Sequence, residues 1–472
     1  MEKTDIGLIG LAVMGENLVL NVASKGYKVS VYNRTGEVTK KFASGKAKGK
    51  NIIPFYNLEE FVESLESPRR VMLMVKAGEA VDMIIDQLLP FLSPGDIIID
   101  GGNSFYKDTD RRVKYVESKG LYYIGTGISG GEEGALKGPS IMPGGSKEAW
   151  PHIKPIFMDI AAKADDGSAC CEWTGPGGAG HFVKMVHNGI EYADMQLISE
   201  IYFLLKRLYK KSNDEIGNYF RSYNEGKLKS YLMEITADIL SHKDKSGNYV
   251  LDTILDAAGQ KGTGRWTVSS AMELGVPLNI IATAVFERAL SSLTELRDNG
   301  EYIYQRKLHA GYLEDPDEVF NALYCSKVAS YSQGFDLMEK ASEEYGWELD
   351  LAAVARIWRN GCIIRSVFLD DIAKTFEEKK SDNTLLLSPL FVEEIDKHID
   401  IWKEVVSDAL SAGLSLPVMS ASLNYFFSLT TKRSPANLLQ AQRDYFGAHT
   451  FEKVDKPRGE FYHENWISEE KV

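Results

Sequence analysis

Short apolar runs and helical segments alternate along the first part of the chain. The runs have the length and composition of buried strands and lie at residues 6–10, 27–32, 70–75, 96–100 and 121–124. This alternation predicts a doubly wound, parallel α/β sheet over residues 1–177. From Gly180 the pattern becomes almost wholly helical, which predicts a large all-α domain over residues 178–434 and a C-terminal tail over residues 435–472.

The helix predicted from residue 180 to about residue 211 carries an unusual polar stripe. Its members recur at the spacing i, i+3, i+4 and i+7 and therefore share one face: Lys184, His187, Asn188 and Glu191. An amine, an imidazole, an amide and a carboxylate on one face can hold a polar substrate and move protons. A solvated helix face is the alternative interpretation. Against it, the apolar residues around the stripe predict a helix that is buried nearly all round.

A dinucleotide-binding turn follows the first strand. It leads into a helix that is predicted to end near Ala23, and it consists of Gly10, Leu11, Ala12, Val13, Met14 and Gly15. Strand, glycine turn, helix and strand together are typical of a Rossmann-type domain, in which glycines let the backbone approach a pyrophosphate at a helix N-terminus.

The second strand ends in Asn33, Arg34 and Thr35, where an NAD-binding domain usually carries an acidic residue. A guanidinium binds a 2′-phosphate that a carboxylate would repel, so the sequence predicts NADP as the cofactor. An ordinary exposed arginine is the alternative.

Polar and glycine-rich segments follow the later strands. They contain Val75, Lys76, Ala77, Asn103, Ser129, Gly130 and Gly131. Because ligands bind beyond the carboxyl ends of the strands in an open parallel sheet, we expect one shared cleft there, with residues 75–77 and Asn103 contacting the cofactor.

A weak internal repeat at an offset of 143 residues predicts a duplicated helical unit. It aligns residues 184–200 with residues 327–343. The second copy replaces His187, Asn188 and Glu191 by Ser330, Tyr331 and Gly334. Residues required for packing should appear in both copies, whereas residues required for catalysis need to appear in only one copy. The difference between the copies therefore favours a functional role for the polar stripe.

Two further segments are suited to an anion. Lys261 and Thr263 lie in a glycine-spaced loop with free backbone donors. Arg288 lies in an otherwise apolar helix, where either a structural salt bridge or a bound anion would satisfy its charge. In the tail, Phe461, Tyr462 and Trp466 are too apolar for a disordered segment, and we expect them to pack against another surface, such as a second subunit. A frayed C-terminus is the alternative.

Composition narrows the class of protein. The chain has 472 residues with a net charge of −13, which argues against nucleic acid or an anionic membrane as a partner. Its four cysteines lack metal-ligand spacing, and no secretory signal or membrane-length apolar run is evident. These features predict a cytoplasmic enzyme or binding protein.

These segments closely resemble the 6-phosphogluconate dehydrogenase family, the decarboxylating NADP enzymes of the pentose phosphate pathway. The resemblance runs essentially end to end. It is carried by residues 10–15, 33–35, 128–135, 184–192, 261–264 and 442–449.

The resemblance implies residue roles and a homodimer whose tail brings Arg443 and His449 to the other subunit's site. Lys184 would be the general base and Glu191 the general acid. The sugar and carboxylate would contact Asn103, Ser129, Gly130, Gly131, His187 and Asn188. The phosphate would contact Tyr192, Lys261, Thr263, Arg288 and Arg443.

Oxidation of a 3-hydroxy acid followed by loss of CO2 requires a base and stabilisation of the developing enolate. No carboxylate cluster suited to a metal is evident, so we expect a metal-independent reaction in which protonated Lys184 stabilises that charge. Burial and nearby cations would lower its pKa. The alternatives are a non-decarboxylating 3-hydroxyacid dehydrogenase, a nucleotide-sugar dehydrogenase, which would need a catalytic cysteine, and an NADP-sensing module without catalysis.

Overall fold

The computed structural model describes residues 3–378 and 384–466. The chain divides into two compact units, Met1–Ser422 and Leu423–Val472. The first unit contains the sheet and most of the helices. The second contains a helix and the loops that fold back on it.

One eight-stranded sheet forms the centre of the N-terminal domain. Its strands are β1 (Ile6–Ile9), β2 (Val29–Tyr32), β3 (Ile52–Phe55), β4 (Arg70–Leu73), β5 (Ile97–Asp100), β6 (Tyr122–Ser129), β7 (Ser140–Gly145) and β8 (Gly175–Pro176). They lie in the order β3-β2-β1-β4-β5-β6-β7-β8. The first six strands of this order have the arrangement of a Rossmann domain, as the alternating pattern predicts.

The central strands β1, β2, β4 and β5 are buried on both faces, which explains their continuous apolar runs. Ile97 and Ile99 of β5 belong to one core cluster, whereas Ile98 between them belongs to the cluster on the other face. The same alternation holds for Leu8 and Ile9 of β1. Helices on both faces of the sheet supply further members of each cluster, such as Leu18 on one face and Val116 on the other.

Two features of the sheet differ from the sequence prediction. The sheet is not wholly parallel, because β7 pairs antiparallel with β6. The glycine-rich segment 125–129, which we predicted to be a loop after a strand ending at Ile124, is part of β6. Pairing of residues 124–129 with residues 140–145 extends the strand and moves its carboxyl end to Ser129.

Helices occupy most of the rest of the described chain. Those of the N-terminal domain are α1 (Val13–Ser24), α2 (Gly36–Ser44), α3 (Leu58–Glu63), α4 (Glu79–Leu88), α5 (Tyr106–Glu117), α6 (Gly131–Lys137) and α7 (Trp150–Ile160). Those that follow are α8 (Ala179–Arg207), α9 (Asn213–Tyr223), α10 (Tyr231–Ser241), α11 (Thr263–Leu274), α12 (Asn279–Ser291), α13 (Thr294–Tyr304), α14 (Val319–Tyr345), α15 (Leu351–Ile357), α16 (Leu369–Glu377), α17 (Pro389–Ala412), α18 (Pro417–Leu429) and α19 (Ala436–Gly447). None of the helices in the described part of the chain is long and apolar enough to cross a membrane.

The two long helices that the internal repeat aligns, α8 and α14, pack against each other. A Cβ atom on Gly334 of α14 would lie 2.5 Å from Ile190 Cδ1, so only glycine allows this approach. Lys327, the counterpart of Lys184, is wholly buried and pairs with Asp194 of α8 at 2.5 Å. The lysine of the second copy therefore has a structural role.

Candidate active site

Glycines let α8 lie directly on the sheet. A Cβ atom on Gly180 would come within 2.4 Å of the carbonyl oxygens of Gly125 and Met142. A Cβ atom on Gly127 would lie 2.3 Å from Lys184 Cβ. Any side chain at these positions would push the helix away. The glycines of β6 and α8 therefore set the position of Lys184 over β6.

The polar stripe of α8 forms one connected group. Lys184 Nζ donates to Asn188 Oδ1 at 2.5 Å and lies 3.4 Å from His187 Nδ1. His187 Nδ1 lies 3.2 Å from Asn188 Oδ1 and 3.8 Å from a carboxylate oxygen of Glu191. These contacts agree with the expectation that the four side chains share one face. Lys184, His187 and Asn188 are buried, whereas about a fifth of the Glu191 side chain is exposed (21%).

His187 connects the stripe to the end of β6. Its Nε2 atom lies 3.2 Å from Ser129 Oγ, and its ring packs edge-to-face against Trp358 at 5.6 Å. Burial lowers the pKa of His187 well below its ordinary value, and the nearby Lys184 lowers it further. A neutral imidazole in this position can both donate and accept a hydrogen bond.

Burial shifts the pKa values of Lys184 and Glu191 in opposite directions. Burial lowers the pKa of Lys184, and the charge of Glu191 opposes this shift. Burial raises the pKa of Glu191, opposed by Lys184 and Arg288. Both shifts favour the neutral forms. Burial lowers the pKa of Lys184 as the sequence predicted, but the expected contribution of nearby cations is not seen among the described residues, because Glu191 and Cys362 act in the opposite direction.

The N-terminus of α11 crosses α8 closely. A Cβ atom on Gly189 would lie 2.8 Å from Thr267 Cγ2, and Thr267 Oγ1 donates to the Met185 carbonyl at 2.9 Å. Gly264 brings the first turn of α11 against the Tyr192 ring in the same way. Thr263 is consequently buried beside α8, and the N-cap of α11, Gly262, supplies no side chain to cap the first amides of the helix.

Arg288 of α12 stacks on Tyr192, with its guanidinium carbon 3.4 Å from the ring centroid. Its Nη2 atom contacts Met195 Sδ at 3.3 Å. Within residues 3–378 and 384–466, Arg288 has no salt bridge. Its charge nevertheless lies close enough to Glu191 to lower the pKa of that carboxyl group. Of the two interpretations open from the sequence, this favours an anion ligand. Lys261, just before α11, is exposed.

A narrow cleft joins these elements. It is lined by Asn103, Ser104, His181, Lys184, Met185, Asn188, Thr263 and Trp266. Asn103, Lys184, Asn188 and Thr263 were predicted from the sequence. Ser104, His181, Met185 and Trp266 were missed, although Ser104 follows Asn103 and Trp266 follows the glycine-spaced loop. No sequence signal marks His181, which is wholly buried and bonds Thr109 Oγ1 at 2.7 Å.

The backbone after Ser129 packs closely against the loop after α15, a contact that the sequence did not reveal. Gly130 has a φ of +135°, and a Cβ atom on it would lie 2.6 Å from the Gly361 carbonyl oxygen. That same carbonyl accepts a hydrogen bond from Ser140 N at 2.9 Å. Gly131, the first residue of α6, has open space around its missing Cβ. The loop after α15 thus covers Gly130 and leaves Gly131 accessible.

A second pocket lies at the carboxyl ends of β1, β2 and β4. The predicted residues that line it are Gly10, Asn33, Arg34, Thr35, Val75 and Lys76, and α3 and α4 add Leu58, Ala80, Met83, Ile84 and Gln87. Leu11, Ala12, Val13, Met14 and Gly15 form the adjoining turn and the start of α1, and Ala77 follows Lys76. The contributions of α3 and α4 were missed, because nothing in the local sequence indicates which helix face borders a pocket.

The geometry of this turn fits a dinucleotide. Gly10 has a φ of +105°, and a Cβ atom there would lie 2.4 Å from the Met74 carbonyl oxygen. Asn33 Oδ1 accepts the Leu11 amide at 3.1 Å, which ties the turn to the end of β2. Ala12, the N-cap of α1, has no capping side chain, so the first amides of the helix remain free for a pyrophosphate. Arg34 is exposed at the rim, where a 2′-phosphate would lie.

In the second unit, a buried carboxylate organises the tail. Asp444 accepts hydrogen bonds from the Thr450 amide, the Glu464 amide and Trp466 Nε1 at 2.8–3.1 Å. Its neighbours on α19 and beyond, Arg443 and His449, are exposed. Phe461 is also exposed, and Trp466 partly so, within this unit.

All four cysteines are buried and free: Cys170, Cys171, Cys325 and Cys362. In the described ranges, no group of three or more His, Cys, Asp or Glu side chains is arranged to hold a metal ion.

Comparison with known proteins agrees with this geometry. A family model described as "NAD binding domain of 6-phosphogluconate dehydrogenase" matches residues 5–175, and one described as "6-phosphogluconate dehydrogenase, C-terminal domain" matches residues 180–466. A decarboxylating 6-phosphogluconate dehydrogenase of Dictyostelium discoideum is 52% identical over 475 residues, covering 98% of this chain and 96% of the relative. Its counterpart in Mus musculus is 50% identical over 473 residues, with 99% and 97% covered.

A solved structure extends the likeness to three dimensions. The Plasmodium falciparum 6-phosphogluconate dehydrogenase, studied in its apo form and in complexes with NADP+ and 6-phosphogluconate, is 45% identical with a TM-score of 0.94. The match covers 98% of this chain and 100% of that chain. The chain therefore belongs to the decarboxylating 6-phosphogluconate dehydrogenase family.

Proposed function

We propose that this chain oxidises 6-phosphogluconate and decarboxylates it, with reduction of NADP, to ribulose 5-phosphate and CO2. The observation that carries the proposal is Lys184. It is a buried amine with a lowered pKa, in a cleft shared with Asn103, Asn188 and Thr263. A neutral amine there is suited to remove the proton of a hydroxyl group.

NADP is the cofactor and supplies the hydride acceptor. Residues 10–15 would hold its pyrophosphate and Arg34 its 2′-phosphate. The chain's own part in the oxidation is proton removal: Lys184 Nζ takes the proton of the substrate's 3-hydroxyl. Asn188 Oδ1, which already accepts from Lys184 Nζ at 2.5 Å, keeps the amine oriented.

Loss of CO2 from the resulting 3-keto acid places negative charge on the 3-oxygen. Lys184, now protonated, donates to that oxygen and stabilises the developing enolate. The low polarity that lowers the pKa of Lys184 also strengthens this interaction. Residues of the chain thus account for the stabilisation without a metal ion.

Glu191 would then protonate C1 of the enediol. Its carboxyl group has a raised pKa, which keeps a proton available nearer to neutral pH. Glu191 lies two turns from Lys184, or about 10 Å along the helix axis, which suits proton transfer at a different carbon. His187 and Ser129, which lie 3.2 Å apart, are suited to bind the sugar hydroxyls and the carboxylate between these two groups, together with Gly130 and Gly131.

The substrate phosphate fits the opposite side of the cleft. Arg288, Tyr192 and Thr263 meet where α8, α11 and α12 cross, and Lys261 lies just before α11. The Arg288 guanidinium makes no salt bridge within residues 3–378 and 384–466, so its charge is available to an anion.

We also propose a homodimer. Helix α13 has no buried residue within the chain, yet it carries Leu296, Tyr302, Ile303 and Tyr304, and Tyr302 is 78% exposed. Phe286 of α12 and Met272 of α11 are exposed as well. A second copy of the chain would cover this apolar surface, as oligomer interfaces do. In such a dimer, Arg443 and His449 of each tail would complete the partner's active site, with Arg443 at the phosphate.

The first test follows NADPH formation at 340 nm with 6-phosphogluconate and NADP, with and without a chelator, and measures CO2 in parallel. We expect NADPH and CO2 in equal amounts, unaffected by the chelator. NADPH without CO2 would indicate a non-decarboxylating 3-hydroxyacid dehydrogenase instead. Loss of turnover in the chelator would contradict the role given to Lys184 in decarboxylation.

A further inference from the structure

Behind the cleft, one buried carboxylate holds the loop that carries Asn103. Asp100, the last residue of β5, is wholly buried. It accepts hydrogen bonds from Gly102 N at 3.0 Å, Ser104 Oγ at 2.6 Å and Tyr123 OH at 3.0 Å. Two of these donors flank Asn103 in the chain, so the carboxylate determines the course of the loop on both sides of Asn103.

An equally buried arginine connects this carboxylate with a second loop. Arg112 of α5 is wholly buried, and its Nη1 atom lies 3.6 Å from Asp100 Oδ2. Its Nε and Nη2 atoms donate to the two oxygens of Asp82, each at 2.9 Å, and Nη2 also donates to the Gly78 carbonyl at 2.9 Å. Gly78 is the N-cap of α4 and directly follows residues 75–77. One guanidinium therefore joins the loop after β4 to the loop after β5.

The two loops serve different parts of the site. Val75 and Lys76 line the dinucleotide pocket, whereas Asn103 and Ser104 line the cleft beside Lys184. Arg112 lines neither, and it touches neither Lys184 nor Asn188. Its planar fork bonds to both loops at once, which the single point charge of a lysine cannot do.

We propose that Arg112, through Asp100 and Asp82, is a positioning residue for the dehydrogenase reaction. It holds Asn103 and the cofactor-binding segment 75–77 in one fixed relation, so that cofactor and substrate meet in a geometry suited to hydride transfer. This inference rests on the proposed function. A displacement of about 1 Å between reacting groups lowers a rate by about 100-fold. We therefore expect the loss of Arg112 to affect the rate of the hydride step more than the affinity for the substrate.

The test compares two adjacent arginines that both bond to Asp82. Arg112→Met removes the link between the loops, whereas Arg111→Met removes an exposed contact to the same carboxylate and an exposed ion pair with Asp108. For Arg112→Met we expect kcat to fall about 100-fold and the calorimetric Kd for NADP to rise about tenfold. The KM for 6-phosphogluconate should rise by less than kcat falls, because Asn103 is displaced but the phosphate-binding Thr263 and Arg288 are untouched. Arg111→Met should match the unmodified protein in every measurement.

A deuterium label at C3 of the substrate separates positioning from a merely structural role. If Arg112 aligns the hydride step, its loss makes that step more rate-limiting, and the isotope effect on kcat/KM rises. A lower kcat with unchanged isotope effect and unchanged Kd for NADP would mean fewer active molecules and would overturn the proposal. Equal effects of the two arginine variants would overturn it as well.

Ser104→Ala provides a milder version that keeps the test decisive if Arg112→Met does not fold. It removes the 2.6 Å bond to Asp100 and the 3.4 Å contact to Arg112 without leaving a buried charge unpaired. We expect changes in the same direction but about tenfold smaller in kcat. Unmodified kinetics in a folded Ser104→Ala variant would overturn the proposal. If the unmodified protein did not oxidise 6-phosphogluconate, the proposed function would fail. The Kd of the variants for NADP would still show whether Arg112 holds the cofactor-binding loop after β4.

Discussion

The side-chain nitrogen of Lys184 lies 2.5 Å from the amide oxygen of Asn188, one turn further along α8. Lys327, its counterpart in the internal repeat, lies at the same distance from a carboxylate oxygen of Asp194. A carboxylate stabilises the charged form of a buried amine, whereas a neutral amide stabilises it much less. The neutral amide beside Lys184 is therefore compatible with the lowered pKa that burial gives this amine.

Lys184→Ala should reduce kcat by about 10²–10⁴-fold, the range for loss of a general base. The calorimetric Kd for NADP should stay unchanged, because Lys184 lines the substrate cleft and not the dinucleotide pocket. Lys206→Ala, near the other end of α8, is the control and should retain turnover. Retained turnover in Lys184→Ala would exclude the assigned role.

Glu191→Gln should separate the two halves of the reaction. The variant keeps Lys184, so stopped-flow absorbance should still show a burst of NADPH in the first turnover. Steady-state turnover should fall by about 10²-fold or more, because the amide cannot protonate the enediol. If the burst disappears together with the steady-state rate, Glu191 takes part in the oxidation itself.

The same variant should shift the pH dependence of the burst. The Glu191 carboxylate raises the pKa of Lys184, opposing the effect of burial. Without that charge the pKa of Lys184 falls further, and the amine is neutral at lower pH. The acidic limb of the burst rate should therefore move to lower pH in Glu191→Gln. A shift to higher pH would contradict this electrostatic coupling.

Gly127→Ala should impair catalysis without altering the chemistry of any side chain in the cleft. The new methyl group would lie 2.3 Å from Lys184 Cβ, so α8 or β6 has to move. We expect kcat to fall about 100-fold for a shift of about 1 Å, with the Kd for NADP unchanged. Gly226→Ala, where the nearest atom is 3.9 Å away, is the matched control and should behave as the unmodified protein.

Arg34→Ala should reduce the preference for NADP. Loss of a charge-assisted contact with a phosphate costs about 1.5–3 kcal/mol, which corresponds to about a 10–100-fold rise in KM for NADP. NAD lacks the 2′-phosphate and provides the control within the same protein, since its KM should change little. An equal rise in the KM for NADP and the KM for NAD would mean that Arg34 binds a group that both cofactors contain.

Mixing two inactive variants tests whether the tails complete each other's sites. Lys184→Ala and Arg443→Ala homodimers should each have low activity. After the subunits are exchanged, a mixed dimer contains one site with an intact Lys184 and an intact Arg443, so activity should return. If each site used the Arg443 of its own chain, mixing would restore nothing.

The repeating patterns of the sequence predicted the fold because these patterns depend on interactions between residues that are close together in the chain. Continuous apolar runs such as that of β5 require burial on both faces, and the glycine turn at Gly10 requires a positive φ. The spacing of Lys184, His187, Asn188 and Glu191 placed them on one face for the same reason, since helix geometry is set within a few residues. The choice of NADP rested on one side chain, Arg34, at a position that the strand pattern identifies.

Only the tertiary structure decided how far β6 extends and what surrounds the stripe. Residues 125–129 form a strand because β7 pairs with them, and the bare glycines there leave room for α8. The contacts of Arg112 with Gly78, Asp82 and Asp100, and that of His181 with Thr109, join elements distant in sequence. A sequence read in local windows contains no information about such contacts, because they arise only when separate elements pack together. The sequence therefore determined which polar residues share one face of α8, and packing determined their environment and their alignment.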